Sequence, residues 1–213
     1  MLARKMRKPA DVWQPQPRQM QLLELCGLDQ ALYGGPVMPA LCEDIGYGGA
    51  AGGGKTEGGI GIALTAVSQI TGVKIGIFRR TFKELEGSDG PIERSYTLFP
   101  KIGGKYNESK HLWVFGEDEG AEDWDKGSAA AIRFCHCQHE KDKYDYQSSA
   151  FDILIVDEAT HFPWSMISYL KTRNRKSRHS QIPIPFALYF SNPGNIGHIW
   201  YKQIFGIKDK IYE

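Results

Sequence analysis

Eight of the fourteen residues from Gly46 to Gly59 are glycine, and this crowding limits the possible folds more than any other feature of the chain. Glycine gathers where backbone must approach a ligand closely or where a linker must stay flexible. The flanks argue against a linker. The stretch runs from Asp44-Ile45-Gly46-Tyr47 into Lys55-Thr56 and then an apolar, helix-like run. Within it, Gly49-Ala50-Ala51-Gly52-Gly53-Gly54-Lys55-Thr56 satisfies G-x-x-x-x-G-K-[ST], after a short β-like segment and before a helix, the context the pattern requires. In that setting successive N–H groups turn inward to meet phosphate oxygens, and the helix start adds positive dipole. Lys55 reaches the β- and γ-phosphates, and the Thr56 hydroxyl binds magnesium.

The rest of the chain reads as the frame for such a loop. Gln19 to Leu28 and Ile60 to Ile70 carry helical periodicity. Val73–Phe78 reads as a strand, Ile153–Val156 is a continuous apolar run and Ile184–Phe190 is another apolar run, the pattern of parallel strands buried on both faces. His111–Phe115 and Ala131–Cys137 read as a strand pair joined by an acidic loop, Glu117 to Asp125, with six acids in nine residues. The expected fold is therefore α/β, a P-loop NTPase with a mostly parallel central sheet, helices on both faces and an added β-hairpin. A formal charge of only +1 excludes a globally basic chain, and no run approaches the roughly 18 apolar residues of a membrane span. Four cysteines in 213 residues are too sparse for a disulfide scaffold and point to a reducing compartment.

Hydrolysis of a bound nucleotide needs carboxylates to place metal and water. Ile153-Leu154-Ile155-Val156-Asp157-Glu158 supplies both at the end of a buried strand. Asp157 is expected to hold magnesium through water, and Glu158 to orient and polarise the attacking water. Asp-Glu points to an ATPase motor over a GTPase switch. A third element, Ser191-Asn192-Pro193-Gly194, follows another apolar strand, where a polar pair can sense the γ-phosphate.

With these three elements in order, the chain resembles the ATPase domain of the large terminase subunit of tailed bacteriophages. The resemblance runs through Gln16-Pro17-Arg18-Gln19, the glycine loop, Arg79-Arg80-Thr81-Phe82, Asn107-Glu108-Ser109-Lys110-His111, Asp157-Glu158-Ala159-Thr160-His161-Phe162 and Asn192-Pro193-Gly194-Asn195-Ile196-Gly197-His198-Ile199-Trp200. It implies Mg-dependent ATP hydrolysis that drives double-stranded DNA into a prohead in the host bacterial cytoplasm. It implies Gln19 as the adenine-recognising glutamine and Ser191-Asn192 as the coupling motif. The implied partners are DNA gripped through phosphate contacts without sequence readout, a portal, a small terminase subunit and a ring of about five copies. The family also carries a C-terminal nuclease, so the expectation for residues 1–213 is an ATPase domain without DNA cleavage, with residues 1–12 a flexible basic tail.

The family commonly places an arginine in the phosphate loop or shortly before the Asp-Glu strand, where this chain has alanines and Tyr146-Gln147-Ser148-Ser149. Arg79, Arg80, Arg133, Arg173 and Arg175 are the candidates to neutralise the transition state, a role worth roughly 10³–10⁵ in rate. The basic run Lys171 to Arg178, five bases in eight residues, reads as a solvated surface, a DNA-backbone contact or a trans-acting arginine element. Cys135-His136-Cys137 lacks a second ligand pair for zinc and reads as small buried strand residues. Trp13 reads as packing on adenine or on a core edge. Two rival functions remain, a superfamily-2 helicase ATPase and an assembly module that binds nucleotide without turnover.

Overall fold

The computed structural model describes residues 7–49, 52–116, 124, 127–192 and 194–207. Ala50, Ala51, Pro193, residues 1–6 of the expected tail and most of the acidic loop lie outside the described residues.

Seven strands form one sheet among the described residues: β1 (Asp44–Gly48), β2 (Lys74–Arg79), β3 (Lys105–Asn107), β4 (Leu112–Phe115), β5 (Ala130–His136), β6 (Ile153–Val156) and β7 (Phe186–Ser191). Their spatial order is β1-β7-β6-β2-β5-β4-β3. The first five are parallel; β4 and β3 append antiparallel to β5, which is the expected hairpin extended by one short strand. Strand β7 lies between β1, which feeds the glycine loop, and β6, which leads into Asp157-Glu158, so the glycine loop and the Asp-Glu pair sit one strand apart.

The helices are α1 (Pro17–Leu25), α2 (Asp29–Leu32), α3 (Lys55–Gln69), α4 (Phe82–Glu86), α5 (Pro91–Leu98), α6 (Trp164–Lys171) and α7 (His198–Phe205). Because strand side chains alternate between faces, the apolar runs feed two separate cores. Ile75, Ile77, Ile153, Ile155, Leu188 and Phe190 pack beneath Ile60, Leu64 and Val67 of α3. Leu154, Val156, Ala187 and Tyr189 pack on the opposite face with Met166, Ile167 and Leu170 of α6 and Trp200 of α7. Cys135 and Cys137 are buried in this second core, and burial pushes the Cys135 thiol up to about 12.

The described part of the N-terminal segment packs against the domain. Pro9–Asp11 form a 3-10 turn, Ala10 is buried, and Trp13, only 4% exposed, packs on α3 at Gly61. A Cβ added at Gly61 would lie 2.3 Å from the indole ring, so this helix position has no room for a side chain. Gly61→Ala gains about 1 kcal/mol of helix propensity yet should lower stability by a net of about 1–3 kcal/mol in a denaturant titration. In a Trp13→Leu background the penalty should shrink; an equal penalty in both backgrounds would place the strain elsewhere.

Candidate active site

The site is built where the parallel strands end. Gly52 and Gly54 take φ of +78° and +67°, left-handed backbone that glycine adopts without strain, and Gly54 caps α3 so that Lys55 and Thr56 open the helix. The N–H groups of a first helical turn have no intrahelical acceptor and face outward from the helix end. The Gly49 N–H donates to the Ser191 carbonyl at 3.3 Å, which ties the start of the loop to the end of β7.

Strand β6 runs on to Asp157, whose N–H still donates to the Phe78 carbonyl of β2 at 2.9 Å. Glu158 then turns into left-handed backbone, φ +54° and ψ +49°. For a residue with a Cβ this costs about 1–2 kcal/mol, and such strain concentrates at functional sites. The turn sends the two neighbouring carboxylates in different directions. Asp157, 1% exposed, faces α3 and β2: its Oδ2 accepts from the Thr56 hydroxyl at 2.9 Å and from Arg79 Nε and Nη2 at 3.0 and 2.8 Å. Glu158 faces β7, where Asn192 Nδ2 donates to both of its carboxylate oxygens at 3.2 Å. The other end of the same amide, Asn192 Oδ1, accepts from Lys55 Nζ at 2.7 Å. An anion on one side and a cation on the other fix which way the Asn192 amide points. Lys55, Thr56, Asp157, Glu158 and Asn192 thus form one hydrogen-bonded crevice across the ends of α3, β6 and β7.

Two residues with expected roles are already engaged elsewhere in the fold. Ser191 was paired with Asn192 as a sensor, but its hydroxyl turns away and donates to Thr160 Oγ1 at 2.8 Å, with Ser191 only 2% exposed. Thr160 in turn donates to the Asn192 carbonyl at 3.2 Å, so it buttresses the end of β7. Sequence reasoning gave Thr160 no role, although it stands two residues after Glu158 in the same turn. Gln19, expected on adenine, is 2% exposed with both amide ends engaged. Its Nε2 donates to the Gly54 carbonyl at 2.8 Å and its Oε1 accepts from the Gln16 N–H at 2.8 Å, which makes it a strut between α1 and the glycine loop.

Of the five candidate arginines, Arg79 alone reaches the crevice. Arg80 donates to the Cys137 carbonyl and lies over the Phe162 ring. Arg133 sits within β5 with its guanidinium 4.4 Å from the Trp124 ring centroid. Arg173 and Arg175 bond Phe151 just ahead of β6, at the amino ends of the strands and so on the far edge of the sheet from the site. They could serve the crevice only of a second copy.

No protein-family model and no curated protein sequence matches the chain. Solved structures do. The large terminase of a thermophilic bacteriophage superposes with a TM-score of 0.62 at 14% identity, over 91% of this chain and 43% of that one. A point mutant of the large terminase ATPase domain of Thermus phage P74-26 superposes at 0.59 and 13% identity, over 98% and 76%. The fold is that of a large-terminase ATPase domain. The terminase of the first phage also matches as its complex with ATP-gamma-S, at a TM-score of 0.50 and 14% identity over 82% and 37%. The chain spans less than half the length of that terminase.

Within this terminase-type fold one buried acid helps to anchor the basic run. Asp152, fully buried, accepts from the N–H groups of Lys74 and Ser177 at 2.7 Å each and from the Ser177 hydroxyl at 2.8 Å. Burial raises its carboxyl above the ordinary range against these bonds. Asp152→Ala should cost about 1–3 kcal/mol and speed hydrogen exchange at Ser177 while leaving the crevice intact. Unchanged exchange there would show that the segment is held by other contacts.

Proposed function

We propose that the chain hydrolyses ATP with magnesium and uses the reaction to drive double-stranded viral DNA into a prohead. The convergence of Lys55, Thr56, Asp157, Glu158 and Asn192 at one sheet edge carries this reading. The ATP-gamma-S complex of the structurally similar terminase supports the choice of nucleotide.

The residues suit a metal. Magnesium asks for oxygen ligands about 2.0–2.1 Å away in an octahedron, which sets neighbouring ligands about 3 Å apart, and it needs only one or two protein groups. Thr56 Oγ1 and Asp157 Oδ2 lie 2.9 Å apart and are the groups that would hold it, directly or through water. Bound there, magnesium would neutralise charge on the β- and γ-phosphates. Lys55 and the loop N–H groups, Gly49 to Gly54, are the phosphate cradle. Glu158 holds and aligns the attacking water, and its negative charge favours proton acceptance as the water adds. Asn192, bonded to both Lys55 and Glu158, is the group through which the state of the phosphate-binding lysine reaches the water-aligning carboxylate.

On this reading the protein works in the host cytoplasm beside a portal and a small terminase subunit, as a ring of about five copies. DNA is held by its phosphates, and the affinity would fall steeply with salt. Adenine recognition by Gln19 would require one of its two amide bonds to be exchanged for the base.

Glu158→Gln should leave ATP binding within a few-fold of the parent while cutting phosphate release by about 10²–10⁴. Lys55→Ala should weaken binding itself. Turnover by Glu158→Gln equal to that of the parent would overturn hydrolysis at this site and favour a nucleotide-binding assembly module; strand separation of a duplex would favour the helicase.

A further inference from the structure

The proposed metal edge already has a cation on it. Arg79 Nη2 stands 2.8 Å from Asp157 Oδ2 and 3.2 Å from Thr56 Oγ1, the two oxygens identified above as the magnesium ligands. Its Nε adds a second bond to the same Asp157 oxygen at 3.0 Å, and its Nη1 donates to the Glu84 carbonyl at 2.8 Å. Asp157 Oδ1 is taken separately, by the Glu158 N–H at 3.1 Å. The guanidinium therefore competes for the oxygen a metal would need and does not merely lie near it.

We propose that Arg79 is a resident counter-ion that occupies the metal edge in the nucleotide-free chain and is displaced from Asp157 when the magnesium–nucleotide complex binds. The inference rests on the nucleotide-site reading above. Asp157 Oδ2 already accepts from Thr56 and twice from Arg79, so a metal ion ligated directly there would have to displace a donor, and a carboxylate as buried as Asp157 is costly to leave unpaired. An arginine solves the second problem in the empty state and creates the first for the loaded one. The side chain is placed to yield: the Arg79 side chain is 14% exposed against 2% for that of Asp157, so its head lies at the rim of the crevice. The Glu84 carbonyl retains Nη1 while Nε and Nη2 let go. The freed donors belong to a planar guanidinium, the group best suited to pair bidentately with phosphate oxyanions. Arg79 acts here as a positioning residue that makes metal binding an exchange of one cation for another. An empty crevice keeps Asp157 paired, and nucleotide arriving without metal leaves the arginine in place.

The test follows the Arg79 Nε–H resonance, assigned by its loss in Arg79→Lys, alongside the Mg²⁺ concentration needed for half-maximal binding of a fluorescent ADP. ADP with EDTA should leave the resonance where it is. ADP with Mg²⁺ should shift it and speed its exchange with water. In Arg79→Ala the Mg²⁺ midpoint should fall by about ten- to a hundredfold, the worth of one charged hydrogen bond removed from the competitor, with Arg79→Lys in between. A purely structural arginine would instead leave the midpoint unchanged or raise it. A resonance unmoved by Mg²⁺ while the fluorescent ADP binds would overturn the exchange and leave the nucleotide site standing. Failure of the parent to bind ADP with Mg²⁺ at all would overturn both.

Discussion

The parallel register of β1, β7 and β6 is the constraint on which the crevice depends. Gly48 pairs with Ser191, and Val156 with Tyr189, so the loop after β1, the turn after β6 and Asn192 all emerge at one level of the sheet. A slip of one residue in β7 would exchange its two apolar faces and carry Asn192 out of reach of both Lys55 and Glu158. Burial on both faces forbids that slip, because Leu188 and Phe190 serve one core while Ala187 and Tyr189 serve the other. The chemistry at the sheet edge is thus held in register by packing several residues away.

Much of this arrangement was legible in the chain itself. The glycine-rich stretch, the Ile153–Val156 run and the Asp-Glu after it each depend on local chemistry: backbone that needs positive φ, strands apolar on both sides, charge at a strand end. The hairpin of β4 and β5 was legible for the same reason, since it joins neighbours in sequence. Strand β3 was not, because a three-residue edge strand containing Lys105 and Asn107 carries no apolar pattern.

The roles of long polar side chains were legible least. Nothing local distinguishes Arg79 from Arg80; they diverge because successive residues at the end of β2 project to opposite faces, one toward α3 and the other toward Cys137 and Phe162. The same holds for Ser191 and Asn192 at the end of β7: one hydroxyl goes inward to Thr160 while the next amide reaches across the crevice. For Gln19 the chain leaves a base and a backbone carbonyl as equally suitable partners, and the bond to the Gly54 carbonyl follows from the placement of α1 against the loop.

The N-terminal segment is fastened to the helix that carries Lys55 at two points, Trp13 on Gly61 and Gln19 on Gly54. Residues Trp13 and Gln19 thus brace the same helix, so the position of its first turn depends on a segment well before it in the chain as well as on the strand that precedes it.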